Sequence, residues 1–234
     1  MKPERLRSVT KKSNLLRKAY FIFQKDFHLE FRTRYAINAI LLFAITTLIV
    51  ISFSVSAVGL SVNILSSLFW VILFFSSMTG LAQVFVREEE QQTADTLKLV
   101  APPIAIYLGK WLFNAVLLLG LEVVLVPLYL IFMNLTIGNF GVFLLILILG
   151  SLGVVSVSTI IAAIISRASA KGALFAVLSF PVTLPILISA IHGTTLALQG
   201  NSISSCMNEV QILFSFTVVV FTASILLFEF VWIS

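Results

Sequence analysis

The sequence predicts an all-α integral membrane protein with six transmembrane helices, and three observations support this fold class. Of the 234 residues, 59% are hydrophobic and only 11% are charged, whereas about a quarter of the residues in soluble domains are charged. The apolar residues form long unbroken runs, which favour helices over the alternating segments of a membrane β-barrel. All Lys and Arg residues lie outside these runs.

Six runs are long enough to cross a bilayer, because a transmembrane helix needs about 20 apolar residues. The predicted spans are residues 36–56, 62–86, 111–133, 140–165, 172–191 and 210–233. Residues 1–35 form a basic leader that is too long for a cleaved signal peptide, so we expect the first span to be retained. We therefore divide the chain into this leader and a six-helix membrane domain, 36–234, which contains a cytoplasmic segment, 87–110.

The basic residues predict the orientation of the chain. Ten lie in the leader, three in segment 87–110, and the remaining two are Arg167 and Lys171 after the fourth span. The connections 57–61, 134–139 and 192–209 contain none. The positive-inside rule therefore places both termini and segment 87–110 in the cytoplasm. The net charge of +5 is then a topology signal, and nucleic-acid binding, which needs a basic patch on a soluble face, is not expected.

The leader carries aromatic residues at intervals of three or four, with basic residues elsewhere around the helix. The aromatic positions are Tyr20, Phe23, Phe27, Phe31 and Tyr35. This pattern is typical of a helix that lies in the membrane interface. The leader is either a membrane anchor alone or part of a transport mechanism.

Segment 87–110 is predicted to contain one short amphipathic helix within the stretch VREEEQQTADTLKLVAPP. The three Glu residues at 88–90 are expected in its first turn, where the helix dipole favours negative charge, and Pro102 and Pro103 are expected to end it. Its apolar stripe is Ala94, Leu97, Val100 and Ala101. The helix either rests on the headgroups or binds a protein partner. Its acidic character favours the partner, because membrane-surface helices are rich in Lys and Arg.

Glu122 is the ionisable residue that stands out at membrane depth. It lies roughly 16 Å past Trp111 along a helix, close to the midplane of a core about 30 Å thick. No cation of the chain is expected there, so we predict a protonated carboxyl group bonded to a hydroxyl of the fourth span, such as Ser156, Ser158 or Thr159. Glu122 is either a polar contact between helices or part of a transport pathway.

Pro127, Pro181 and Pro185 lie inside predicted spans. Each would free a backbone carbonyl and bend its helix. Such bends either allow helices to open and close or are ordinary features of membrane helices.

The sequence predicts no catalytic centre and no metal site. It has no G-x-x-x-x-G-K-[ST] phosphate loop, so any ATP must be hydrolysed on a separate chain. His192 is a candidate heme ligand on the outer side, although a solitary histidine near the headgroups is more often an interfacial residue. There is no C-x-x-C-H motif, and the single Cys206 cannot form an internal disulfide.

Together these features resemble the heme exporter protein B family, from about Phe21 to Phe230. The resemblance is carried by the leader, the six spans, the acidic helix that ends in LKLVAPPIAIYLGKW, and FPVTLPILI in the fifth span. One position departs from the family pattern: Ala94 and Asp95 stand where a Gly is expected before Thr96. Asp tolerates a Gly-like backbone at modest cost.

The resemblance implies an ABC-2-type permease subunit of an ABC-type complex in cytochrome c maturation, in the bacterial inner membrane. The leader would be an elbow helix, and the cytoplasmic helix would be a coupling helix that docks into the ATPase. The implied ATPase contacts are Glu88, Glu89, Glu90, Asp95, Leu97, Leu99 and Val100. Implied partners are an ATP-binding cassette ATPase, a second copy of this chain, a heme-handling membrane subunit and a small membrane subunit. ATP would bind the ATPase, and any heme would be held by a partner, with no cofactor on this chain.

Two other functions remain open at the level of sequence. One is an ABC permease of the same architecture that exports a lipid-linked sugar or a drug. The other is a stand-alone channel or secondary transporter, which predicts inverted repeats and paired broken helices. Apart from Glu122 and the prolines of the fifth span, we find no such pairing. For a subunit in cytochrome c maturation, the step powered by ATP is either heme export or the release of a heme-loaded chaperone.

Overall fold

The computed structural model describes residues 3–55, 59–166 and 171–233. In these ranges the chain forms helices and no strand. They are α1 (Pro3–Thr33), α2 (Tyr35–Val55), α3 (Val62–Gly80), α4 (Gln83–Glu90), α5 (Ala94–Val100), α6 (Pro103–Phe132), α7 (Phe140–Ile165), α8 (Lys171–Leu198) and α9 (Met207–Ile233), with a 3-10 turn at Ile203–Cys206. Arg167 and part of the connection 57–61 lie outside the described residues.

Six helical segments are long and apolar enough to cross a membrane. They are Tyr35–Ser54, Val62–Glu90, Pro103–Phe132, Phe140–Ile165, Leu174–Leu198 and Ile203–Trp232. The predicted all-α fold class is therefore confirmed. The second of these segments combines α3 and α4, which are separated by a turn at Leu81 and Ala82.

The helices of the third and fifth spans are longer than the apolar runs predict. Helix α6 begins at Pro103, because a proline at the first helical position loses no hydrogen bond and its φ angle is already helical. Lys110 therefore lies inside α6 rather than in a loop. Helix α8 continues to Leu198, and its polar Thr194 accepts a hydrogen bond of 2.9 Å from Nε1 of Trp70.

Segment 87–110 contains two short helices rather than one, which corrects the sequence prediction. Helix α4 ends at Glu90 and α5 begins at Ala94. Gln92 between them has a φ of 55°, a left-handed conformation that ends a helix. The three Glu residues at 88–90 consequently occupy the last turn of α4, where the helix dipole opposes negative charge.

Helix α7 lies at the centre of the bundle and packs against α6, α8 and α9, while α1 lies along α6. Small residues on α7 allow this close approach. A Cβ atom at Gly150 would lie 2.4 Å from the ring of Trp70, and one at Gly153 would lie 2.8 Å from Ile186. The packing of the bundle therefore requires glycine, which has no side chain, at positions 150 and 153 of α7.

We expect Gly150→Ala to lower the free energy of unfolding by about 1–3 kcal/mol, the usual cost of overpacking. Trp70 is fully buried and its indole is held by Thr194, so the ring has no room to move. Thermal unfolding in detergent measures the effect. The matched control is Gly120→Ala on α6, where nothing lies within 4 Å of the added Cβ. Equal stability of the two variants would contradict the described packing of Trp70.

Candidate functional site

Six charged side chains meet where α1, α4 and α6 come together at the predicted cytoplasmic end of the bundle. We call this group the junction cluster. It consists of Lys25, Asp26 and Glu30 from α1, Arg87 and Glu88 from α4, and Lys110 from α6.

The ammonium group of Lys110 is the centre of the cluster, and Lys110 is 0% exposed. Its Nζ donates to Oδ2 of Asp26 at 3.1 Å, to Oε1 of Glu88 at 2.9 Å and to the carbonyl oxygen of Val84 at 2.8 Å. It also lies 5.3 Å from the ring centroid of Phe85, within range of a cation–π interaction. An ammonium has three donors, and each of them has a partner here.

Glu88 is buried, with 5% exposure, although it lies in the last turn of α4. Besides Lys110, its carboxylate accepts hydrogen bonds from Nζ of Lys25 and from Oγ1 of Thr93. Burial of Lys25 opposes its charged form, but Asp26 and Glu88 outweigh this effect and raise the pKa of Lys25. Two cations therefore offset the unfavourable position of Glu88 at a helix C-terminus.

Glu30 links the cluster to the first span. Its Oε2 accepts a hydrogen bond of 2.9 Å from Nη2 of Arg87, and its Oε1 accepts one of 3.0 Å from the backbone nitrogen of Ile37. Ile37 is in the first turn of α2, where backbone N–H groups have no partner within the helix. The buried carboxylate thus satisfies the N-terminus of α2 and joins it to α1 and α4.

Helix α5 follows the junction cluster in the chain, and we call its last two residues, Leu99 and Val100, the tip of α5. Leu99 is 89% exposed and Val100 is 62% exposed. The carbonyl oxygen of Val100 accepts a hydrogen bond of 2.8 Å from Nζ of Lys18, so α1 also holds the end of α5. Nζ of Lys98 lies 3.4 Å from Oδ1 of Asp95 and 5.7 Å from the ring centroid of Trp232.

The residues that were expected to contact the ATPase differ in their exposure to solvent. Glu90, Asp95, Leu99 and Val100 are exposed, and Glu89 is half-buried. Leu97 is half-buried and packs against the core. Glu88 differs from the expectation, because its carboxylate is buried and bonded within the chain. The apolar surface offered to a partner is therefore Leu99 and Val100 rather than Leu97 and Val100.

Sequence reasoning treated the basic residues of the cluster as topology markers and missed the cluster itself. One signal was present in the leader, where Asp26 and Glu30 are spaced one helical turn apart and so share a face. Lys110 can be buried because α6 begins at Pro103. The apolar run begins only at Trp111 and does not reveal this early start.

Glu122 is buried on α6 and accepts a hydrogen bond from Oγ of Ser151 on α7. Two of the expected partners have other roles: Oγ of Ser156 accepts from Trp111, and Oγ1 of Thr159 accepts from Asn114. The third, Ser158, is buried, and its Oγ has no hydrogen-bond partner among the described residues. The prediction placed the partner one to two turns too far along α7. Glu122 and Ser151 lie at matching depths, roughly 15 and 16 Å from Phe132 and Phe140, the helix ends that the connection 134–139 joins, at 1.5 Å per residue. The role of Glu122, as a packing contact or as a residue of a transport pathway, stays a prediction.

The remaining candidates are separate from the junction cluster. Nδ1 of His192 lies 2.6 Å from Oε1 of Glu209, and the side chain of His192 is largely exposed. Pro127 lies inside α6, and Pro181 and Pro185 lie inside α8, so both helices continue through their prolines. Among the described residues, no group of His, Cys, Asp and Glu is arranged to hold a metal ion.

We expect Lys110→Met to destabilise the protein by about 3–5 kcal/mol, because it breaks a buried ion pair and leaves the two buried carboxylates of Asp26 and Glu88 to share the half-exposed Lys25. The matched control is Lys98→Met, whose ion-pair partner Asp95 is exposed, and its cost should be about 1 kcal/mol. Thermal unfolding of both variants in detergent measures the difference. Adding Glu88→Gln to Lys110→Met should recover part of the loss, since the two groups interact directly. Additive losses would contradict the described contact.

The chain was compared with known proteins. The search of curated proteins found no match. The family described as CcmB protein matches residues 17–230, a stretch that runs from α1 to the last turn of α9 and includes the whole junction cluster. Its members are membrane subunits of an ABC-type heme exporter in cytochrome c maturation. The chain therefore belongs to the CcmB protein family, that of heme exporter protein B.

Proposed function

We propose that this chain is the permease subunit that couples ATP hydrolysis on a separate ATP-binding cassette ATPase to movement of its own membrane helices. The powered step is heme export or the release of a heme-loaded chaperone. The observation that carries the proposal is the apolar tip of α5, Leu99 and Val100, which is exposed beside the buried junction cluster.

The tip of α5 has the properties of a docking surface. A contiguous exposed apolar patch with a polar rim marks an interaction site, and Leu99 and Val100 are adjacent and exposed. Glu90 and Asp95 are exposed on the same segment, and such charges set the orientation and rate of association more than the affinity. The partner cleft should therefore be apolar at its centre and basic at its rim.

The contacts around α5 provide a route from the docking surface into the membrane. Lys18 connects the end of α5 to α1, and Lys110 connects α1 and α4 to α6. Glu30 extends the connection to α2. The charges around Lys110 are largely buried, so separating them is costly, whereas the hydrogen bond from Lys18 is exposed. A displacement of α5 should therefore carry α1 and the cytoplasmic ends of α2, α4 and α6 with it.

We propose that heme is held by a heme-handling partner subunit rather than by this chain. The pairing of Nδ1 of His192 with Glu209 leaves Nε2 available, but the side chain is largely exposed, and one imidazole on the surface does not enclose a heme. The proposed assembly also contains a small membrane subunit and a second copy of this chain, since cyclic pairs are the commonest closed symmetry. It lies in the bacterial inner membrane.

Leu99→Asp is expected to weaken binding of the ATPase about 10- to 150-fold, because burying one Leu side chain contributes about 1.5–3 kcal/mol. Binding of the purified ATPase to the full chain in nanodiscs measures the affinity, and ATP turnover measures the coupling. Leu99→Met is the matched control and should retain binding, since it preserves an apolar side chain of similar volume. Unchanged affinity and turnover in a correctly inserted Leu99→Asp variant would exclude α5 as the docking surface.

The proposed orientation places residues 201–206 outside and α5 in the cytoplasm. In a Cys206→Ser background, Ser204→Cys should react with a membrane-impermeant maleimide added to intact cells. Thr96→Cys should react only after the membrane is permeabilised. Both positions are exposed, so access depends on the side of the membrane. The reverse pattern would mean that the positive-inside assignment is wrong.

A further inference from the structure

A crevice lies between α1, α2 and α6, next to the junction cluster. Its cavity volume is about 340 Å³, and every residue that lines it except Glu30 is apolar. Its walls include Phe27 and Phe31 of α1, Ile40 and Leu41 of α2, and Leu117 and Gly120 of α6. We infer that this crevice binds one acyl chain of a phospholipid, a role that goes beyond the proposed coupling function.

Gly120 shows that the space is left open on the side of α6. A glycine inside a helix costs about 1 kcal/mol relative to Ala, so it usually has a packing reason. Gly109 on the same helix has one, because a Cβ there would lie 2.7 Å from the carbonyl oxygen of Ala19. At Gly120 nothing in the described chain lies within 4 Å of the Cβ position. The room at Gly120 therefore suits a group that is not part of this chain.

Water does not suit the crevice. A buried water needs two to four polar partners, and Glu30 is the only polar residue in the lining. Its Oε1 already accepts from Ile37 and its Oε2 from Arg87. An empty crevice would also be unfavourable, because the lining atoms would lose their dispersion contacts. The occupant should therefore be apolar.

The dimensions favour an acyl chain over a helix of another subunit. A helix with side chains is about 10 Å across, so a helix of another subunit could place only a few side chains in a cavity of about 340 Å³. An acyl chain is thin and flexible enough to follow the walls. The surrounding lipid tails are as apolar as Leu, so close packing rather than the hydrophobic effect must hold the acyl chain in the crevice.

The position of the crevice indicates the inner leaflet, given the proposed orientation. Its walls come from the first two turns of α2 and from Phe113 to Leu121 of α6, so the crevice runs from the inner ends of these helices to the depth of Glu122. Arg32 and Arg34 are exposed and follow Phe31 in the chain, so they suit the phosphate of the same lipid.

Native mass spectrometry of the purified full chain, after extensive exchange into detergent, tests the inference. Wild type should retain one phospholipid per chain. Gly120→Trp places an indole in the crevice, and the resulting overpacking should reduce the fraction of lipid-bound chain at least about tenfold. Val123→Trp is the matched control: it adds the same side chain to the same helix at a position that is 75% exposed and does not line the crevice. It should retain the lipid.

Gly120→Leu serves as a second variant that is less demanding for folding, and thermal unfolding of every sample verifies that the bundle is intact. The inference is overturned if wild type retains no phospholipid, or if folded Gly120→Trp and Gly120→Leu retain as much as Val123→Trp. Loss of a partner subunit with unchanged lipid would overturn it as well, since the crevice would then hold protein. None of these results depends on ATPase binding, which Leu99→Asp tests separately.

Discussion

The buried ammonium group of Lys110 forms the interactions on which the arrangement of α1, α4 and α6 depends. Removing this charge from water is costly, and only the combination of Asp26, Glu88 and the Val84 carbonyl compensates for it. Because those partners come from α1 and α4, Lys110 fixes three helices relative to one another. The leader is consequently an integral part of the bundle in this structure.

The junction cluster also explains how an acidic helix end is tolerated in this chain. Glu88, Glu89 and Glu90 occupy the last turn of α4, which is unfavourable for negative charge. Glu88 is compensated by two Lys residues brought from elsewhere in the sequence. The acids therefore do not act as one group: Glu88 is structural, whereas Glu90 is exposed to the solvent and to partners.

The sequence predicted the six spans well because long apolar runs depend only on local composition, which the bilayer imposes directly. It missed features that apolar runs do not mark. The break at Gln92 and the start of α6 at Pro103 are local backbone features, whereas the burial of Lys110 and the pairing of Glu122 with Ser151 depend on neighbours distant in sequence. The docking role of α5 was inferred from a family resemblance, and the structure adds which of its side chains are exposed.

The break at Gln92 has a mechanical consequence. A continuous helix from α3 through α5 would act as a rod and transmit a push along the membrane normal. Because the left-handed residue interrupts it, the α5 tip is attached instead through Ala101 to the start of α6 and through the Val100 carbonyl to Lys18 of α1, a helix that is predicted to lie in the membrane plane. A force on the tip would therefore pull α1 sideways. This motion would move the inner ends of the helices apart or together.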